Sequence, residues 1–150
     1  MKNVVIVGTG TMAAGIAAGF ISQSVPIAIL GRNKEKSKAC LKKAILLSKK
    51  IGISGANADK DDIELEVSQN HGELSSWQNW DQSQWIIETV AEDMPLKREV
   101  FKQLDNKVPA HIPIGSNSSG FPISKIADGL KTANRMLGAH YFMPAEVVPL

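Results

Sequence analysis

Gly8, Gly10 and Ala13 follow the uncharged, β-branched run Val4, Val5, Ile6, Val7 as G-x-G-x-x-A, a spacing suited to holding a diphosphate. Gly8 permits a tight turn. Gly10 has no side chain to keep the backbone away from a pyrophosphate, and the small Ala13 lets the following helix pack closely on the strand. A helix beginning here offers unpaired N–H groups and the positive end of its dipole to the anion. The pattern predicts a dinucleotide-binding turn made by Gly8, Thr9, Gly10, Thr11, Met12 and Ala13.

Cofactor choice is written about 20 residues further on, where an NAD-binding unit carries Asp or Glu for the adenosine ribose hydroxyls. Here the second apolar run ends in Ile29, Leu30, Gly31, Arg32, Asn33. A carboxylate would repel a 2′-phosphate. Its absence leaves room, and the Arg32 guanidinium can form paired, charge-assisted bonds to phosphate oxygens. Gly31, Arg32 and Asn33 are therefore expected at the adenosine end, with NADP favoured and NAD possible. The bland alternative for Arg32, Lys34, Lys36 and Lys38 is the solvated face of a helix.

These residues need elements to position them. Residues 4–7 read as a strand buried on both faces, residues 11–23 as a helix of small and apolar residues, and residues 27–30, after Pro26, as a second strand. Residues 34–50 are helical in pattern, with Leu41, Ile45 and Leu46 on one face and lysines on the other. That lysine face could hold a ligand's phosphates or simply meet water. Between 52 and 76 Gly, Asn and Asp punctuate the chain, with a short helix expected at 59–63 and a strand at 65–68. Trp77 and Trp80, one helical turn apart, predict a short helix laying an aromatic face on the sheet; a strand at 85–90 follows. Pro95 opens a helix whose stripe Val100, Phe101, Leu104 runs to about Asn106. A strand at 112–115, a short helix at 124–130 with Ile126 and Leu130 inward, and a strand at 136–140 complete the pattern. The alternation predicts an α/β fold: a Rossmann-type, doubly wound, mostly parallel sheet with helices on both faces.

Composition agrees with one domain over the 150 residues, since 43% hydrophobic and 21% charged residues suffice for a core of its own. Lys and Arg exceed Asp and Glu by only 17 to 15, too small a margin for a nucleic-acid groove or a membrane-surface patch, so neither partner is expected. No apolar run approaches the roughly 18 residues of a membrane span. The opening run could pass for a secretory signal, but Gly8 and Gly10 break it. Cys40 is the only cysteine, which excludes a disulfide framework and a cysteine metal cage and fits a reducing, cytoplasmic setting. His71 and His111 have no partners at ligand spacing; they are expected on the surface, and no metal site is expected.

Three further segments, IIETVAED, SNSSGFPISKIA and RMLGAHYFMP, arrive in an order that resembles the amino-terminal domain of the 3-hydroxyacyl-CoA dehydrogenase family over nearly the whole length. The resemblance implies an NAD(P)-dependent oxidoreductase of fatty acid metabolism. It would move a hydride between a nicotinamide and the 3-hydroxyl or 3-keto carbon of a small-molecule substrate, an acyl-CoA. It makes His140 the general acid and base, taking the 3-hydroxyl proton as hydride leaves and returning it in ketone reduction. Imidazole suits that task because both its protonation states are accessible near working pH. The resemblance also implies that Ser119 hydrogen-bonds the substrate oxygen, that Asn117 helps to shape the site, and that Glu88 stands at the nicotinamide end of the cleft.

On residue type alone, Asn117 and Ser119 read equally as turn or cap residues, and His140 as a core histidine. The family's helical carboxy-terminal domain, which closes the cleft and makes a homodimer, and the glutamate that orients its histidine both fall past Leu150. The chain as it stands is therefore expected to bind cofactor and turn over poorly. The family's Asn-Pro is Met143-Pro144 here, and a thioether cannot replace the hydrogen bonds of an amide. That leaves two alternatives open: a non-catalytic dinucleotide-binding homologue, or a dehydrogenase of a related 3-hydroxy acid.

Overall fold

In β1 (Asn3–Val7), Val4 and Ile6 point into one core and Val5 and Val7 into another, because both faces of the sheet to which the strand belongs are covered. The computed structural model describes residues 2–51 and 70–148. After β1 come α1 (Thr11–Ser22), β2 (Ile27–Gly31), α2 (Lys34–Ile51) and β3 (His71–Glu73). The second half contains β4 (Ser83–Glu88), α3 (Met94–Lys107), β5 (Ile114–Ser116), the single-turn α4 (Ile123–Ile126) and β6 (Met136–Gly138).

The sheet runs β3-β2-β1-β4-β5-β6 with every neighbouring pair parallel, which is the expected Rossmann-type winding. Helices α1 and α2 cover the face of Val4, Ile6, Ile27, Ile29 and Ile87; α3 and α4 cover that of Val5, Val7, Leu30, Ile86 and Ile114. Strand order reverses between β1 and β4, so a crevice opens above their carboxyl ends, where sheets of this kind bind ligands.

Local chemistry explains the helices. Ala13, Ala14, Ala17 and Ala18 bring α1 close to the sheet, and Gly15 and Gly19 form a flat seat for residues 145–146. Asp93 caps α3 by accepting the Leu96 N–H at 2.8 Å, with Pro95 in the first turn, where a missing N–H costs nothing. Leu41 and Ile45 of α2 meet the core as expected, but Leu46 does not; it is 63% exposed because it lies on the flank of the helix that faces water.

Several expectations change at the margins. The helix at 59–63 and the strand at 65–68 lie outside the described residues. The strand beside β2 is His-Gly-Glu, with no apolar residue to announce it. It forms because β2 templates it: Ile29 N–H donates to Asn70 O and Leu74 N–H to Gly31 O, while the buried Ser37 hydroxyl donates to Gly72 O at 2.8 Å. His71 is therefore half-buried in a strand, contrary to the surface position expected of it, whereas His111 is exposed. Trp77 lies over Gly72, where a Cβ would be 2.9 Å from its ring, and Trp80 is buried in a 3-10 turn instead of a longer helix. The helix expected at 124–130 is one turn long, and Leu130 still packs on the core. Strand β6 stops at Gly138, leaving His140 just past its carboxyl end. Among the described residues, no helix is long and apolar enough to cross a membrane.

Cys40 lies on the inner face of α2, and burial, opposed by Lys43, pushes its thiol pKa up to about 11. The thiolate is the reactive form. Alkylation by iodoacetamide at neutral pH should therefore be slow in the folded chain and rise in step with urea unfolding, as followed by mass spectrometry.

Candidate functional site

At the end of β1 the backbone of Gly8 takes a φ of +131°, a conformation that L side chains rarely adopt. Space forbids a side chain as well. A Cβ there would run into the Thr89 hydroxyl and lie 2.9 Å from the Thr89 carbonyl. Thr89 is held in place by donating its N–H to Val7 O at 2.7 Å and its hydroxyl to the same oxygen at 3.1 Å.

Gly10, the N-cap of α1, is the opposite case: a Cβ would meet nothing within 4 Å. No side chain caps the helix, and the first amide bonded back to Gly10 O is that of Ala14. The space beside Gly10, at the start of a helix with no side-chain cap, is thus open for an anion to fill. Ala13 is fully buried against the sheet, Thr9 and Met12 are half-buried, and Thr11 is exposed. The cradle fits a dinucleotide diphosphate.

At the end of β2 a Cβ on Gly31 would lie 2.6 Å from Thr9 Cγ2 and 2.8 Å from Ser37 Oγ. Packing against the glycine turn itself therefore excludes an acidic side chain at this position. Arg32 is exposed beside it. Asn33 accepts the Lys36 N–H at 2.9 Å, so its side-chain oxygen caps α2.

Ser119 and His140, on the connections that follow β5 and β6, come together with Ser119 Oγ 2.8 Å from His140 Nε2. Their backbones are joined on either side of that contact. Ala139 N–H donates to Ser116 O at 2.8 Å, and Tyr141 N–H donates to the side-chain oxygen of Asn117 at 2.7 Å. Asn117 thus steers the segment carrying the histidine, while its own N–H is held by Glu88 O. The Phe142 ring lies against the imidazole, with centroids 4.4 Å apart.

Glu88 is not where it was expected. Its side chain is fully buried, ion-paired to the equally buried Lys97 Nζ at 2.8 Å, and it accepts the Ser116 hydroxyl and the Val90 N–H, both at 2.6 Å. It therefore knits β4, β5 and α3 together beneath the cleft and does not face a ligand in it.

The carboxylate at the mouth is Glu92, which the sequence reading passed over. It accepts the Ser118 hydroxyl at 2.5 Å and the N–H groups of Ser119 at 3.1 Å and Gly120 at 2.8 Å, with Lys97 Nζ 3.5 Å away. Partial burial pushes its pKa up, but Ser118, Gly120 and Lys97 outweigh that and hold the carboxyl below the usual glutamate range. Because the folded-state pKa is lowered, these bonds are fully present above the ordinary glutamate pKa and are lost only as the pH falls through the lower one. The signal was present in IIETVAED as a second glutamate four residues after the first, but nothing in the residue types says which of the two is buried.

Comparison with known proteins identifies the family. The family profile described as 3-hydroxyacyl-CoA dehydrogenase, NAD binding domain, matches residues 3–150. The chain belongs to that family. An Arabidopsis thaliana relative, the peroxisomal fatty acid beta-oxidation multifunctional protein MFP2, is 30% identical over 152 residues, covering 100% of this chain and 20% of its own length. A Bacillus subtilis probable 3-hydroxybutyryl-CoA dehydrogenase is 28% identical over 151 residues, covering 100% of this chain and 52% of its own. The crystal structure of M. tuberculosis FadB2 superposes with a TM-score of 0.82 at 27% identity, over 99% of this chain and 52% of that one. The chain thus spans about half or less of the length of these relatives.

Two substitutions probe the framework. Lys97→Ala strands the buried Glu88 without its cation and should cost about 3–5 kcal/mol in urea unfolding. Gly8→Ala adds a Cβ where φ and Thr89 both oppose it; a lowered Tm together with lost dinucleotide binding is the expected result.

Proposed function

We propose that this domain binds a nicotinamide dinucleotide, NADP in preference to NAD, and serves oxidation and reduction at the 3-position of an acyl-CoA-like substrate. The observation that carries this reading is the 2.8 Å contact of Ser119 Oγ with His140 Nε2, at the same carboxyl end of the sheet as the open glycine turn. The bound nicotinamide would supply the hydride acceptor or donor. The Gly10 backbone and the first-turn amides of α1 hold the diphosphate. A substrate oxygen within reach of both Ser119 Oγ and His140 Nε2 is oriented by the former and exchanges its proton with the latter. The proton leaves the hydroxyl for Nε2 in oxidation and returns to the oxygen in ketone reduction.

NADP is favoured because position 31 has no room for a carboxylate and Arg32 is free to meet a 2′-phosphate. The name of the Bacillus relative, a probable 3-hydroxybutyryl-CoA dehydrogenase, supports an acyl-CoA substrate, and that of the Arabidopsis relative supports a setting in fatty acid beta-oxidation. A lone, buried Cys40 is in keeping with a reducing, cytoplasmic compartment. A second reading, a dinucleotide-binding homologue without catalysis, draws on Met143. That side chain is 61% exposed beside the His140 segment, where the family's asparagine would offer hydrogen bonds.

Titration of NADPH and NADH against tryptophan fluorescence should show NADPH binding about tenfold tighter, with Arg32→Ala removing most of the difference. Equal affinities, unmoved by that variant, would remove the case for NADP. In a longer chain that also carries the family's helical carboxy-terminal domain, turnover of acetoacetyl-CoA with NADPH should fall about 10²–10⁴-fold in His140→Ala while dinucleotide affinity is kept. No turnover above that variant would favour the binding-module reading.

A further inference from the structure

The loop that carries Ser119 is tied to the neighbouring strand's connection through one oxygen. Glu92 Oε1 receives the Ser118 hydroxyl and the consecutive N–H groups of Ser119 and Gly120, so the loop wraps a carboxylate as a small anion nest. Ser118 Oγ also accepts the Phe121 N–H at 2.9 Å, which extends the wrap by one more residue. The other oxygen, Oε2, faces Lys97 Nζ at 3.5 Å. Lys97 in turn is anchored by Glu88 at 2.8 Å and by Val90 O at 3.3 Å, all beneath the cleft.

A continuous chain of charge-assisted contacts therefore runs from the buried end of β4, through α3, to the backbone of Ser119. The Ser119 side chain takes no part in it, and its hydroxyl is left to reach His140. Fixing the N–H of Ser119 fixes the origin of that side chain. A free loop would have to give up conformational entropy each time the contact formed.

From this geometry we infer that Glu92 is a positioning residue: its carboxylate, seated on Lys97, sets the Ser119 loop so that Ser119 meets His140. The inference rests on the reading that these two residues act as a pair. Its test uses the chain in hand and does not depend on turnover. Glu92 is partly exposed, so Glu92→Gln should fold; it keeps the size of the side chain and removes the charge that gathers three donors and faces a cation.

Two NMR readouts on isotope-labelled protein decide the matter. The Ser119 and Gly120 amides should exchange about tenfold faster or more in Glu92→Gln, with the amides of Ile6 and Ile86 unchanged. The titration midpoint of the His140 ring should shift in the same direction as in Ser119→Ala, and the double variant should shift no further than Ser119→Ala alone. A purely structural role would lower Tm without moving the histidine. The inference is overturned if Ser119→Ala moves the midpoint and Glu92→Gln does not. It is equally overturned if the Glu92→Gln shift persists in full on the Ser119→Ala background, since that marks charge acting through space. If Ser119→Ala itself leaves the midpoint in place, the pair fails, and the inference and the reading beneath it fall together.

Discussion

Where β1 and β4 part company, the backbone of Gly8 rests on Thr89 with no space for even one added carbon. Everything about the candidate site depends on that contact. It bends the chain out of the sheet at the one place where strand order reverses, and so points the start of α1 over the crevice. It also lets Thr9 fold back against Gly31, which removes the space in which an acidic residue could stand. One close approach thus shapes both the diphosphate cradle and the adenosine end of the cleft.

Two glutamates four positions apart in one short segment take different parts because their surroundings differ. Glu88 ends a strand and points inward, where an unpaired charge would be costly, so it is matched by Lys97, Ser116 and a backbone amide. Glu92 stands past the strand at the mouth and gathers donors from a loop far away in sequence. Lys97 touches both, so a single ammonium links the interior of the sheet to the segment that bears Ser119. Electrostatics here serves orientation more than net stability, since a buried pair repays much of its attraction in lost hydration.

The Ser119–His140 pair illustrates how parallel-sheet topology assembles a site from distant residues. Both lie just past the carboxyl ends of the adjacent strands β5 and β6, and hydrogen bonds from Ala139 to Ser116 and from Tyr141 to Asn117 hold the two connections in step. Asn117 therefore acts on the histidine through the backbone next to it.

The residues themselves determined the glycine turn, the alternating strands and helices, the missing carboxylate after β2 and the family resemblance, because each depends on neighbours within a few positions. Short-range chemistry of this kind is legible along the chain. Tertiary structure alone decided that His-Gly-Glu is a strand, that Leu46 faces water, that Glu88 is buried and that Glu92 reaches the Ser119 loop. Each of those outcomes depends on what folding packs against the residue or leaves open beside it, and residue types along the chain carry no record of which it will be.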